Sequence, residues 1–387
     1  MSLNKKNPFT FVPINLDQLK IMMFKFNSST TYLALLCGTF MLSSCKKDEP
    51  ATPVTPPYEV PATYNFTGAD FSASSNRIKM AMELNSYLGS GSTTVLDQAK
   101  ANNLFNNTNA PFANADLNTT GISLVEKTAD AAIYQGFINQ HVNLSNFNTR
   151  PAADGTAGFI LRSAGKILVS PEGLEYNQAF AKGTMGAVFF KEAMTILAGI
   201  SNTDNGTVTK GATAMQRKWD EAFGYLGIPV NYDSNKEYST ADAARPLLWG
   251  GYLAERGKPI KAGEILFEAF RKGRAAIGAK DYPVRDQQVK IIQETWERLD
   301  AASALAYVTI PQASSSVGNL GTQFHALSEG FGFVLALKYR PAGSKLTDAN
   351  YQKLLSILST NFYTLVNEAN FARLKEAEAI LKTTYNL

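Results

Sequence analysis

The chain has 387 residues, two cysteines, two histidines and a formal net charge of +4. Residues 1–44 read as a cleaved leader; their removal takes away four lysines and one aspartate and lowers the charge to +1, which leaves a nucleic-acid partner no electrostatic footprint. With Cys37 in the leader and Cys45 assigned to a lipid, no thiol remains for a disulfide, a zinc–thiolate site or a nucleophile, and two histidines exclude a His-rich metal centre.

The first element is an export signal. Lys25 supplies a short positive region, and residues 32–42 form an apolar stretch too short to span a bilayer as a helix. Leu42-Ser43-Ser44-Cys45 then fits a lipobox, in which small residues admit a peptidase and the thiol takes the lipid. Residues 1–21 sit ahead of an already complete signal, so Met22 or Met23 is the expected start. Residues 45–61 form the lipidated tether, where Pro50, Pro53, Pro56, Pro57 and Pro61 make the chain stiff and extended. The expected location is the outer membrane, reached through the acyl chains on Cys45, each buried CH₂ adding about 0.8 kcal/mol.

Residues 62–387 read as one helical domain. Apolar periodicity and Gly, Asn and Pro breaks predict helices at 75–89, 93–106, 121–145, 173–200, 211–226, 239–256, 260–278, 284–310, 317–340, 346–364 and 367–384. Residues 158–161 and 166–169 suit a small hairpin around Ser163-Ala164-Gly165. The fold class is therefore all-α: a multi-helix bundle of about eleven helices, single or two bundles fused, with at most one small β-hairpin.

Three places carry candidate chemistry. Glu192 falls within the apolar stripe of Met185, Phe189 and Ile196, and a carboxylate in a core must be paired, protonated or bound to a cation. On the nearly all-apolar helix 317–340, Gly321, His325, Ser328, Gly332 and Ala336 form a face of small residues, with Glu329 one turn after His325. Small residues admit a backbone or a ligand, and His and Glu at i, i+4 can point at one ion. The segment 215–226 has a core face of Met215, Trp219, Ala222, Phe223 and Leu226, flanked by Asp220, with Glu221 pointing away. The candidate metal ligands are thus His325, Glu329, Glu192, Glu221 and Asp220, each weighed against a plain packing or ion-pair role. Iron, zinc or manganese suits such an imidazole–carboxylate set. Arg271, Lys272, Arg274 and Lys280 read as a solvated basic face, Glu294 and Arg298 as a surface pair, and His141 as half exposed. No P-loop, G-x-G-x-x-G after a strand, H-E-x-x-H or G-x-S-x-G is present.

Tyr58 to Phe66, Gly173 to Gln178, Lys182 to Ala187, Trp219 to Tyr225 and the block His325-Ala326-Leu327-Ser328-Glu329-Gly330 resemble an uncharacterised Bacteroidota lipoprotein family, domain of unknown function 4856. The run Lys46-Lys47-Asp48-Glu49 resembles the signal that carries such lipoproteins to the cell surface, which favours surface exposure slightly over a periplasmic location. The resemblance implies companions: imelysin-like lipoproteins and outer-membrane TonB-dependent receptors, a setting of iron or other metal acquisition. Imelysin-like proteins carry G-x-H-x-x-E, whereas this chain spaces Gly321, His325 and Glu329 more widely. The expected function is binding of a metal ion or metal complex for uptake. The alternatives are a receptor-partner or glycan-capturing lipoprotein without a metal site, and an imelysin-like metal-dependent peptidase.

Overall fold

The computed structural model describes residues 58–163 and 165–387. The leader, Cys45 and the tether up to residue 57 lie outside the described residues. Thirteen helices, eleven of them seven residues or longer, and two short antiparallel strand pairs make up the described chain. In chain order they are α1 (Ser72–Gly89), α2 (Gln98–Asn106), α3 (Ala115–Asn118), α4 (Ala131–Ser145), β1 (Gly158–Arg162), β2 (Gly165–Val169), α5 (residues 176–199), β3 (Val208–Thr209), β4 (Ala212–Thr213), α6 (Ala214–Tyr225), α7 (Trp249–Glu255), α8 (Ala262–Ala279), α9 (Tyr282–Thr309), α10 (Leu320–Ala336), α11 (Asp348–Leu358), α12 (Phe362–Asn367) and α13 (Ala372–Tyr385). Val60–Leu387 is one compact unit, so the helices belong to one bundle and not two.

Capping side chains set several helix starts, and later than periodicity predicts. Asp97 accepts from the Lys100 N–H, Asn319 from Thr322 and Thr347 from Asn350, and Thr213 and Gln216 form a reciprocal capping box. The helix expected over 121–145 begins only at Ala131, after Asp130 turns left-handed at φ 52°. The one expected over 239–256 shrinks to Trp249–Glu255, behind Pro246 and a Leu248 at φ 49°. The expected 346–364 helix divides where Asn361 caps a new start.

The hairpin forms as predicted, with Phe159 opposite Leu168 and Leu161 opposite Lys166. The expectation of at most one hairpin needs correction, because β3 and β4 make a second, two-residue pair. Its turn residues Lys210 and Gly211 have φ of 51° and 82°, the doubly positive form that suits a two-residue hairpin.

The centre of the bundle is α10, apolar on nearly every side and buried from Phe324 onward except at His325. Residues 176–202 have the length and composition of a membrane span, yet 72% of the apolar window is buried inside the bundle, as a core helix requires. Within α5, Met185–Phe190 winds as a π-helix. The wider turn leaves carbonyls to be met from outside: Met185 O accepts the Trp249 indole N–H at 2.8 Å and Ala187 O accepts the Ala129 N–H at 3.0 Å.

Helices α5 and α10 run in the same direction and touch through their smallest residues. A Cβ placed on Gly332 would lie 2.6 Å from Lys182 Cβ, and one on Gly186 would lie 2.3 Å from Ala336 Cα. Gly321, at the other end of the stripe, meets the Leu161 carbonyl of β1. The small-residue face expected to admit a backbone or a ligand is therefore filled by the backbones of α5 and the hairpin.

Candidate functional site

The α5–α10 seam brings two pairs of charged side chains together. Glu175 is the N-cap residue of α5 and Lys182 lies within its second turn; His325 and Glu329 share a face one turn apart. Ser328 sets the register at one end: its Oγ accepts the Glu175 backbone N–H at 2.9 Å and donates to the Phe324 carbonyl at 2.7 Å. Glu175 Oε2 then lies 2.7 Å from His325 Nδ1. His325 Nε2 lies 3.7 Å from Glu329 Oε2, and Glu329 Oε1 is 3.0 Å from Lys182 Nζ. The result is an alternating chain of acid, imidazole, acid and ammonium across the seam.

This arrangement fixes the imidazole. A carboxylate on Nδ1 favours the tautomer with the proton there, which leaves the Nε2 lone pair on the side of Glu329. His325 remains 19% exposed, so solvent reaches the ring. Beyond Lys182 the network continues into aromatic hydroxyls. The ammonium sits 5.4 Å from the centre of the Tyr252 ring, the Tyr252 and Tyr307 hydroxyls are 2.9 Å apart, and Tyr307 donates to Glu255 at 3.3 Å. Arg256 stacks over the Tyr307 ring at 5.0 Å. Burial works against the charge on Lys182, but Glu329, Tyr307 and Glu255 outweigh it and raise its pKa above the usual lysine value.

The other predicted ligands have other partners. Glu192 is buried, as its place in the stripe implied, yet Lys127 and Lys191 hold its two oxygens at 2.9 and 2.7 Å. Burial alone would raise its pKa; the hydrogen bonds and charges of the two lysines win and lower it. Asp220 is fully buried, and its Oδ1 accepts from both Arg274 Nε and Tyr64 OH at 2.8 Å. Desolvation pushes its pKa up despite those partners. Glu221 pairs with Lys218 at 2.7 Å. Of the five predicted ligands, His325 and Glu329 face each other, with Glu329 also on Lys182, whereas Glu192, Glu221 and Asp220 lie elsewhere, each engaged by other cations. Among the described residues, no group of three or more His, Cys, Asp or Glu side chains is placed to hold a metal ion.

Three further expectations change. The basic run of α8 and its end is solvated only in part: Arg274 is buried on Asp220 and Arg271 donates to the Pro61 carbonyl, while Lys272 makes an exposed pair with Glu268 and Lys280 is exposed. Glu294 lies nearest Lys290, at 3.8 Å, while Arg298 reaches the Tyr385 and Asn386 carbonyls. His141 is not half exposed but buried, with Nε2 2.8 Å from the Leu88 carbonyl, and burial lowers its pKa to about 4.

Nothing in the sequence alone marks Glu175, Lys182, Tyr252 and Tyr307 as one group. Glu175 and Lys182 stood in plain view, but no local pattern paired them with the His325 stripe.

A family model for a domain of unknown function, DUF4856, matches residues 61–363. The chain belongs to that family. The matched span contains every residue of the α5–α10 network. No curated protein and no solved structure matches the chain.

Proposed function

We propose that this protein is a cell-envelope binding lipoprotein that captures a metal complex for uptake, with His325 and Glu329 as its two donor side chains and Glu175 holding the imidazole in place. The observation that carries the reading is the 3.7 Å gap between His325 Nε2 and Glu329 Oε2, backed by the 2.7 Å contact of Nδ1 to Glu175. One ion with bonds of about 2.0–2.2 Å would reach both donors. Two donors fill neither a tetrahedral nor an octahedral shell, so the cargo brings the rest of its own coordination. A chelated iron, zinc or manganese ion fits this better than a bare one.

A peptidase reading has no catalytic motif to stand on, since the chain carries no H-E-x-x-H. The lipobox at Cys45 supports an outer-membrane anchor, and the charged run after it supports display at the cell surface. A TonB-dependent receptor or an imelysin-like lipoprotein is the partner this setting suggests.

The test is titration calorimetry of the tag-free chain with nickel chelates that leave two adjacent coordination positions open. Binding at one equivalent, lost in His325→Ala with the helical circular dichroism unchanged, is the expected result. Undiminished affinity in His325→Ala would overturn the assignment.

A further inference from the structure

We infer that the bundle interior between α9 and α11 binds an ordered water molecule, held by the Asp300 carboxyl and the Tyr351 hydroxyl. The site is separate from the α5–α10 seam and stands whether or not a metal complex binds there.

Asp300 has no exposed surface, and neither of its oxygens is hydrogen-bonded to a described residue. The Tyr351 hydroxyl is buried and unbonded as well. The two groups lie close, since the Asp300 charge bears on the Tyr351 hydroxyl and on those of Tyr134 and Tyr385. A phenol hydrogen turns freely about its C–O bond. The bond left unmade between Asp300 and Tyr351 therefore reflects a gap, not a wrong direction. Trp296, one turn before Asp300 on the buried side of α9, carries an indole N–H that is unbonded too.

The other polar groups nearby have their partners. Tyr385 donates to Glu297 at 2.7 Å, and Ser344 donates to the same carboxylate. The Tyr134 hydroxyl bonds to Tyr339, which in turn donates to Asp130 at 2.8 Å. Arg340 lies over the Tyr351 ring at 5.1 Å, but its guanidinium is occupied by Asp348 and by the Leu337 and Leu346 carbonyls. Nothing in this shell turns to Asp300. Buried polar groups left in this way are costly, and an internal water with two or more such partners is the usual remedy. The chemistry matches, because burial and Glu297 both favour the uncharged carboxyl, which offers one donor and one acceptor. A water accepts from one group and donates to the other. A hard cation such as calcium suits the place less well, since it calls for a charged carboxylate and about six or more oxygens.

A crystal structure of the wild-type chain, at a resolution that shows ordered water, decides the point. The expected result is a water within about 3 Å of both an Asp300 carboxyl oxygen and the Tyr351 hydroxyl. An empty site, or Asp300 bonded directly to Tyr351, would overturn the inference. A peak ringed by oxygens at about 2.3–2.6 Å would overturn it in favour of a cation. In solution, oxygen-17 magnetic relaxation dispersion counts long-lived internal waters. Asp300→Leu should hold one fewer than wild type. Tyr351→Phe, which keeps the ring and so the packing, should lose that water or shorten its residence time. Counts and residence times unchanged in both variants would overturn the role of the two side chains. If Asp300→Leu does not fold, Tyr351→Phe alone gives the answer.

Discussion

Replacing Gly332 by alanine probes the contact on which the candidate site depends. A Cβ at that position would lie 2.6 Å from Lys182 Cβ and 2.9 Å from the Gly183 backbone nitrogen, where ordinary contact begins at 3.4 Å. Neither neighbour is the free end of a side chain, so relief requires α5 and α10 to move apart. In an open helix the substitution would gain roughly 1 kcal/mol from helix propensity. Overpacking a tight seam costs about 1–3 kcal/mol, so the balance expected is a net loss of up to about 2 kcal/mol. Gly89 supplies the control. It closes α1 at φ −57° with nothing within 4 Å of its missing Cβ, and Gly89→Ala should gain about 0.5–1 kcal/mol. Urea unfolding of both variants, with m-values held to the wild-type slope, gives the comparison. Gly332→Ala should in addition weaken nickel-chelate binding, since parting the helices draws Glu175 and Lys182 away from His325 and Glu329. A Gly332→Ala protein as stable as Gly89→Ala would refute the close approach of the two helices.

Three other perturbations have worked signs. His141 is neutral in the fold because burial lowers its pKa from 6.5 to about 4, even though its bond to the Leu88 carbonyl acts the other way. The folded state binds fewer protons than the unfolded one between those values. Stability therefore falls as the pH drops from about 6.5 toward 4, by at most roughly 3 kcal/mol, and His141→Gln should flatten that slope in urea midpoints; parallel slopes would refute it. Asp300, fully buried in α9 with neither carboxylate oxygen hydrogen-bonded to a described residue, has its pKa raised by burial and then by nearby Glu297. The native state keeps that proton while the unfolded state releases it, so stability is lost as pH rises. Asp300→Asn should stabilise the protein by about 1–3 kcal/mol at alkaline pH and by less in acid; thermal melts that show no gain at any pH would remove the case for a strained carboxyl. Tyr64 stacks on Phe223 with ring centres 3.6 Å apart and is fully buried. Tyr64→Ala should cost about 3–5 kcal/mol, and Tyr64→Phe, which keeps the stack and loses only the Asp220 bond, about 1–2. Equal losses would assign the effect to the hydroxyl alone.

The legible part of the fold was what local pattern controls. The all-α class, six of the helices to within four residues at each end and the 158–169 hairpin follow from periodicity and breakers, because each is decided within a dozen residues. The illegible part depended on tertiary partners. Nothing in Met185–Phe190 announces a π-helix, since its two outward carbonyls are met by Trp249 and Ala129, far off in the chain. Asp220 reads as a flank and Arg274 as a solvated cation until the fold joins them across 54 residues. At the candidate site, the i, i+4 spacing of His325 and Glu329 was enough to place them together. Their companions Glu175 and Lys182 arrive across 150 residues, through a seam whose glycines signalled close approach but not of what.

The point where the leading segment enters the bundle has a mechanical consequence. The Pro61 carbonyl is held by Arg271, the Tyr64 N–H by the Val230 carbonyl, and the Tyr64 ring stacks on Phe223 while its hydroxyl donates to Asp220. A pull on the residues ahead of Pro61 is thus delivered to the interior faces of α6 and α8, not to a frayed helix end. The ring would have to be drawn sideways out of its stack while its hydroxyl bond and the backbone bond break together. Loading in shear of this kind resists far more than peeling one contact at a time, so a load applied at Pro61 meets these contacts before it reaches the α5–α10 seam.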